Sequence, residues 1–69
     1  MGLNNCLKEI RTEKDLTQEA LAQAVDVTRQ TVIAIEKGRF RPSIELALKM
    51  AQALDTPLER LFWLDEDEG

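Results

Sequence analysis

The sequence predicts an all-α fold, a single compact domain of five short helices. The chain has 69 residues, which is enough for one small domain with a modest core. Apolar residues recur at helical spacing, and no segment shows the alternation typical of a strand. Capping residues and helix breakers separate the apolar stripes at short intervals. We therefore expect one domain over residues 1–64, followed by an acidic C-terminal tail over residues 65–69.

The first two helices are placed by their stripes and by one cap. The first is expected over about residues 5–14, with an apolar stripe made of Leu3, Cys6, Leu7 and Ile10. Thr17 is a good N-cap for the second helix, and Glu19 lies in its first turn, where the helix dipole favours an acid. Leu21 and Val25 are four residues apart and predict its buried side.

The third helix is bounded by capping residues at both ends. Thr28 is expected to cap a helix over residues 28–37 whose Val32 and Ile35 point inward. Gly38 stands just past its end, where a residue with left-handed backbone is expected.

The fourth and fifth helices complete the predicted fold. The fourth begins at Pro42-Ser43, and its expected stripe is Ile44, Leu48, Ala51 and Leu54. The segment "TPLERLF" predicts a capping box for the fifth, with Thr56 at the N-cap, Pro57 at N1 and Glu59 at N3.

Positive charge is concentrated in one segment of an acidic protein. The whole chain has a formal net charge of -4, whereas residues 27–44 sum to +3 and residues 55–69 to -5. The basic residues of the positive segment are Arg29, Lys37, Arg39 and Arg41. Because charges are screened beyond about 8–10 Å at ordinary salt, the local field is decisive at contact distance. This segment therefore suits a polyanion such as a phosphate backbone.

The composition excludes several functional classes. The chain has no histidine, no tyrosine and a single cysteine, Cys6, which cannot form an internal disulfide. A zinc site needs several Cys or His ligands, and nucleophilic catalysis needs a nucleophile beside a base. No signal peptide or membrane-length apolar segment is recognisable. We expect a cytoplasmic protein that is not an enzyme and has no cofactor, metal or small-molecule ligand.

The connection between the second and third helices points to a function. Residues 25–27 leave only about three positions between the two helices, which forces the steep crossing of a helix-turn-helix. The outward face of the third helix carries donors and apolar groups without an acid: Arg29, Gln30, Ile33, Ala34 and Lys37. A solvated helix would normally mix both signs of charge, so this face favours DNA binding.

These residues carry a family resemblance over roughly residues 6–62. "LTQEALAQAVDVTRQTVIAIEKGRFRPSIELALKMAQALDTPLERLF" resembles the lambda-repressor-like, Cro-type (XRE) helix-turn-helix DNA-binding family, and within it the small stand-alone members. The motifs are Thr17-Gln18 opening the second helix, "LAQ", the three-residue turn, "TRQTV" opening the third helix, "IEKG" and Pro42-Ser43. The resemblance implies a five-helix lambda-repressor-like domain whose second and third helices form the helix-turn-helix.

The resemblance also implies which residues contact the bases. Arg29 and Gln30 occupy base-contacting positions, and these side chains suit guanine O6/N7 and adenine N6/N7 respectively. Ala34 and Ile33 are candidates for thymine methyl groups, or alternatively for helix packing. For Arg29 the alternatives are a phosphate contact alone or an ion pair with Asp26.

Contacts to the DNA backbone are implied for a further set: Gln18, Thr28, Thr31, Lys37, Arg39 and Arg41. The two threonines are caps first and phosphate donors second. The alternatives are a solvated Gln18 and a loop that only aids solubility.

Structural roles follow from the same resemblance. Arg11 and Glu36 stand where the family has a buried ion pair between the first and third helices, the alternative being a surface Arg11. Asp26 and Asp55 occupy turn positions where glycine is frequent, and a left-handed backbone is expected at Asp26.

The C-terminal segment suggests self-association. Its apolar residues Leu61, Phe62, Trp63 and Leu64 are more than a small domain readily buries, and they are expected to form a dimer interface. Family members commonly bind two half-sites about one DNA turn apart. The alternative is that Leu61 and Phe62 close the core and that Trp63 lies on it.

The expected function is sequence-specific regulation of transcription, as a homodimeric repressor on double-stranded DNA with a short inverted-repeat operator. Two alternatives stay open: an antitoxin that binds a protein toxin and its own operator, and a protein-interaction adaptor that has lost DNA binding. The acid-free face of the third helix favours DNA binding over the adaptor.

Overall fold

The computed structural model describes residues 2–65, which form five helices and a two-stranded sheet. In chain order the elements are β1 (Leu3–Asn5), α1 (Leu7–Glu13), α2 (Gln18–Ala24), α3 (Arg29–Glu36), α4 (Ile44–Ala53), α5 (Leu58–Leu61) and β2 (Phe62–Leu64). The five-helix fold class is confirmed. Within the described residues no helix is both long and apolar enough to cross a membrane.

Hydroxyl side chains begin three of the helices. Thr17 accepts a hydrogen bond from the Ala20 backbone N–H at 2.9 Å. Ser43 does the same for α4, from the Leu46 N–H at 3.0 Å. Thr28 caps α3 in the same way. These bonds satisfy N–H groups that have no partner within their own helix, and they fix where each helix begins.

The capping box predicted for α5 is wrong. The Thr56 hydroxyl donates to the carbonyl of Leu54 at 2.8 Å instead of accepting from the helix. Pro57 takes the N-cap position, and no side chain caps this end. The chain turns back at the left-handed Asp55, which brings the carbonyl of Leu54 within reach of the hydroxyl.

The expectation that the chain has no strands is also wrong. β1 and β2 pair in antiparallel register, with Asn4 opposite Trp63 at the centre. The Cys6 N–H donates to the Leu61 carbonyl at 3.0 Å, which continues the pairing inward. Asn5 lies in this sheet, so α1 begins two residues later than predicted. Strands of three residues are too short to show an alternating pattern in the sequence.

The paired strands β1 and β2 form a terminal hairpin, which extends one residue into the predicted tail. The Asp65 N–H donates to the Gly2 carbonyl at 2.8 Å, and its Oδ1 accepts from Asn4 Nδ2 at 3.0 Å. Asp65 therefore belongs to the hairpin. The other residues of the predicted tail, 66–69, lie outside the described residues.

All five helices contribute to one core. Its largest fully buried side chains are Leu7, Leu21, Val25, Val32, Ile35, Met50, Leu54 and Leu61. Burial of these side chains is the main favourable term in a domain of this size.

The predicted stripe of α4 is wrong at two positions. Ile44 and Leu48 are 77% and 47% exposed, whereas Ala47 and Met50 are buried together with Leu54. α4 carries apolar residues on two faces, and periodicity alone cannot decide which face packs inward. The outcome is an apolar face of α4 that the monomer leaves in solvent.

Four helices end in a left-handed residue. Gly38 has φ 77°, as expected, and Asp26 and Asp55 have φ 64° and 51°. Asp15, with φ 61°, is a further case that the sequence analysis did not anticipate. In each case the following residue bonds back to the helix, for example from the Val27 N–H to the Ala22 carbonyl at 2.9 Å. This is the hydrogen bonding of a Schellman motif, which ends a helix sharply and allows very short connections.

Replacing Asp26 by glycine should stabilise the domain. Glycine adopts a left-handed backbone without steric cost, and we expect a gain of a few tenths to about 1 kcal/mol in the free energy of unfolding. Gln23→Gly, at an exposed position in the last turn of α2, is the matched control and should destabilise by up to about 1 kcal/mol. Thermal and urea unfolding measure both. A lower melting temperature for Asp26→Gly would show that the aspartate is not strained there.

Candidate nucleic-acid interface

α2 and α3 form a helix-turn-helix. They pack on each other more extensively than any other pair of helices. The left-handed Asp26 and the bond from Val27 to Ala22 let the chain reverse within the three residues of the turn. The second helix of such a pair is the one that enters the major groove in DNA-binding proteins.

α3 has one buried face and one free face. Val32 and Ile35 are buried in the core. On the other side Arg29, Gln30 and Lys37 are exposed. At 3.6 residues per turn, these three residues lie within an arc of about 100°. The burial of Val32 and Ile35 thus orients the helix so that its hydrogen-bond donors project together into solvent.

Ile33 and Ala34 lie at intermediate exposure on α3. Ile33 falls within the arc of the free face, and Ala34 lies about 40° outside it. Both side chains are thus partly packed and partly accessible.

The N-terminus of α3 is capped and carries no acid. The Thr31 N–H donates to Thr28 Oγ1 at 3.4 Å, and the two hydroxyls lie 3.1 Å apart. No acidic residue occurs in the first turn, so the positive end of the helix dipole is not neutralised there. The structure brings both threonines to this end, where a phosphate would be favoured.

The loop after α3 presents three basic side chains to solvent: Lys37, Arg39 and Arg41. Gly38 turns the chain, and the Arg39 N–H closes the turn on the Ala34 carbonyl at 2.9 Å. Among residues 2–65 the ion pairs are Arg11–Glu36 and Lys49–Glu45. Within that part of the chain, neither this loop nor Arg29 is neutralised by an ion pair, and Arg29 does not pair with Asp26.

Arg11 and Glu36 meet in the interior. Arg11 Nε lies 2.7 Å from Glu36 Oε2, and the two side chains are only 11% and 5% exposed. Arg11 Nη1 also donates to the Leu16 carbonyl at 2.7 Å. The pair thus ties α1, the segment before α2 and the last turn of α3 together, and the surface position considered for Arg11 is wrong.

Gln18 is held by the same carboxylate. Its Nε2 donates to Glu36 Oε1 at 3.0 Å. Gln18 is half-buried at the first position of α2, so the solvated alternative does not describe it. This contact was not anticipated, because residues 18 positions apart carry no shared signal in a single sequence.

Asn5 is a further structural residue that sequence reasoning missed. Its Nδ2 donates to the Ile35 carbonyl at 3.1 Å, and its Oδ1 accepts from the Leu7 N–H at 3.0 Å. The terminal hairpin is thereby fastened to the end of α3. An asparagine before a helix is typical of an N-cap, but no local pattern predicts its bond to the Ile35 carbonyl, 30 residues away.

The C-terminal apolar residues divide between the core and the surface. Leu61 is fully buried, which makes its predicted place in a dimer interface wrong. Phe62 is half-buried and packs on the core. Trp63 and Leu64 are 41% and 60% exposed.

Two features of the described residues concern the chemistry of metal and thiol sites. Among residues 2–65 no cluster of His, Cys, Asp or Glu could hold a metal ion. Burial, and secondarily the nearby Glu9, raises the pKa of the Cys6 thiol above its ordinary value. A thiol with a raised pKa is a poor nucleophile at neutral pH.

A helix-turn-helix whose second helix has a donor-rich exposed face without an acid is typical of a DNA-binding domain of the lambda-repressor-like type. The helix-turn-helix family HTH_3 matches residues 7–61. The chain belongs to this family of XRE/Cro-type transcriptional regulators, which are DNA-binding proteins and not enzymes.

Relatives of similar length and solved structures agree with this assignment. The chain is 48% identical over 65 residues to the uncharacterised HTH-type transcriptional regulator YgzD of Bacillus subtilis, covering 94% of this chain and 98% of YgzD. An uncharacterised HTH-type transcriptional regulator of Methanothermobacter thermautotrophicus is 52% identical over 66 residues, with 94% and 96% covered. The restriction-modification controller protein C.AhdI of Aeromonas hydrophila superposes with a TM-score of 0.74 at 39% identity, over 78% of this chain and 82% of C.AhdI.

Removing one partner of the buried ion pair should be costly. Arg11→Ala leaves the Glu36 carboxylate without its counter-charge, and we expect a loss of about 3–5 kcal/mol in the free energy of unfolding. The exposed Lys49–Glu45 pair, at 3.7 Å, provides the control: Lys49→Ala should cost less than about 0.5 kcal/mol. Urea unfolding measures both variants. Equal, small losses would mean that the buried pair does not hold the fold together.

Proposed function

We propose that this protein is a sequence-specific transcriptional repressor that binds a short inverted-repeat operator as a homodimer, in the cytoplasm. DNA binding and transcriptional regulation are properties of its family. A repressor role is supported by the cryptic phage CTXphi transcriptional repressor RstR of Vibrio cholerae. RstR is 34% identical over 55 residues, which cover 80% of this chain and 50% of RstR.

The free face of α3 is the observation that carries this proposal. Arg29 and Gln30 are exposed side by side at the start of the helix. Inserted into a major groove, Arg29 reads guanine through O6 and N7, and Gln30 reads adenine through N6 and N7. Ala34 and Ile33 lie deeper on the helix and contact thymine methyl groups.

The residues around this face hold the DNA backbone. Lys37, Arg39 and Arg41 neutralise phosphates on one side of the groove. On the other side, Thr28, Thr31 and Gln18 donate hydrogen bonds near the N-termini of α3 and α2. These contacts set the register of the helix without reading sequence.

Arg29→Ala should relax the preference at one base pair. We expect a loss of about 1–3 kcal/mol on the preferred site and little loss on other sequences. Arg39→Ala is the matched control, because it removes the same charge from the loop. It should weaken binding to all sequences alike and lower the salt slope by about 1.

Selection from a random duplex library, followed by binding titrations at two or more salt concentrations, measures both variants. If Arg29→Ala behaves like Arg39→Ala, Arg29 contacts only phosphate. If the unaltered protein enriches no sequence, DNA reading is excluded and the adaptor alternative is favoured. The antitoxin alternative predicts the same DNA binding together with a stable complex with a separate protein.

We propose that the dimer forms through α4. Ile44 and Leu48 lie one turn apart, and both are exposed. Leu48 also lines a shallow groove with Pro57 and Leu58, which extends the apolar surface. Contiguous exposed apolar surface on a small soluble domain marks an interaction site.

The charges that border this face suit a second copy. Glu45 and Lys49 form an ion pair along its edge. If two copies of α4 pack antiparallel about a two-fold axis, Ile44 meets the partner's Leu48, and Glu45 faces the partner's Lys49. The surface is thus complementary to itself in both polarity and charge, as a two-fold interface requires.

The double variant Ile44→Gln/Leu48→Gln should be monomeric. It removes exposed apolar contacts without adding charge, so the melting temperature of the monomer should change little. Trp63→Ala tests the C-terminal surface that the sequence suggested, and it should leave the dimer intact. Analytical ultracentrifugation distinguishes the two surfaces. A monomeric Trp63→Ala beside a dimeric α4 variant would place the interface on the hairpin.

A further inference from the structure

The Gln18 side chain is the outer end of a hydrogen-bonded chain that begins in the interior. The Leu16 carbonyl accepts from Arg11, and Arg11 donates to one oxygen of Glu36. The other oxygen of Glu36 accepts from Gln18 at 3.0 Å. The carboxylate is thus shared between a buried guanidinium and a side chain at the edge of the proposed DNA surface.

The hydrogen bond to Glu36 fixes the orientation of the Gln18 amide. A carboxylate oxygen only accepts hydrogen bonds, so the amide nitrogen, and not its oxygen, must face Glu36. A primary amide has two N–H groups, and one of them is used in this contact. Phosphate oxygens also only accept, so the second N–H is the group that a DNA backbone requires. The orientation imposed from the interior is the one that serves a phosphate.

The charges of Arg11 and Glu36 also favour a contact between Gln18 and phosphate. A carboxylate near the DNA surface would repel phosphate if it were unpaired. Arg11 lies 2.7 Å from Glu36 and is itself buried, so the carboxylate holds Gln18 without presenting a free negative charge. Fixing the amide in advance also removes part of the side-chain entropy that binding would otherwise cost.

We propose that Glu36 is a positioning residue for DNA binding, which orients Gln18 so that its free N–H meets one backbone phosphate. The inference rests on the proposed DNA-binding function. It gives Glu36, which contacts no DNA in this arrangement, a role in affinity that is separate from its role in stability.

The test uses the selected operator with single methylphosphonate substitutions, each of which removes the charge of one phosphate. The unaltered protein should bind more weakly when the phosphate that Gln18 contacts is substituted. The Gln18→Met variant should bind that substituted operator as well as the unsubstituted one. Its affinity should fall about three- to tenfold, as for one hydrogen bond. Glu36→Gln, studied below its melting temperature, should lose the same sensitivity while keeping those of the basic loop. Arg39→Gln is the control and should lose sensitivity at a different phosphate.

A second variant guards against loss of folding. Arg11→Met/Glu36→Leu replaces the ion pair with apolar groups of similar volume, a change that folded domains tolerate. It should fold and show the same single loss as Gln18→Met. The inference is overturned if Glu36→Gln or the double variant keeps the complete phosphate profile, or if Gln18→Met does. Failure of the unaltered protein to bind any duplex would instead overturn the proposed function.

Discussion

The carboxylate of Glu36 is the group on which the arrangement of the helices depends. It lies in the last turn of α3 and accepts from Arg11 of α1 and from Gln18 of α2. The side chain of Glu36 therefore connects α3 to both α1 and α2. A chain of 69 residues has a small apolar core, and apolar contacts alone are tolerant of sliding and rotation. Hydrogen bonds to a fixed carboxylate are directional, and together with the burial of Val32 and Ile35 they restrict the rotation of α3 about its own axis.

That rotation decides what the outer face can do. Val32 and Ile35 are buried on the inner side of α3, and the capped N-terminus and the turn at Gly38 fix its two ends. Arg29 and Gln30 are then left exposed at the surface. The hairpin adds a further restraint, because Asn5 bonds to the Ile35 carbonyl at the end of the same helix. The side of α3 that packs in the core is thus separate from the side that we propose to contact DNA.

Local chemistry made much of the fold and of the site predictable. Caps such as Thr17 and turns such as Gly38 act within a few residues, and their signals are contained in short segments. Features set by distant partners were not predictable from one sequence. α4 offers apolar residues on two faces, and packing against α2 and α5 selected the face with Met50. The pairing of Asn4 with Trp63 joins opposite ends of the chain, and three-residue strands leave no pattern. The bond between Gln18 and Glu36 likewise depends on how two helices cross.

The same separation of roles explains how an acidic protein can present a DNA-binding surface. The whole chain has a net charge of -4. In dilute salt, where screening is weak, this charge acts over long distances and opposes the approach of DNA. At contact, the relevant charges are those of α3 and of the loop that follows it, and these sum to a positive field. Salt therefore has two opposing effects: it screens the long-range repulsion and it weakens the contacts with phosphate. The second effect dominates near physiological ionic strength, because the screening length there is about 8 Å and long-range repulsion is already screened. The proposed contacts with DNA thus depend on where the basic side chains are placed rather than on how many the chain contains.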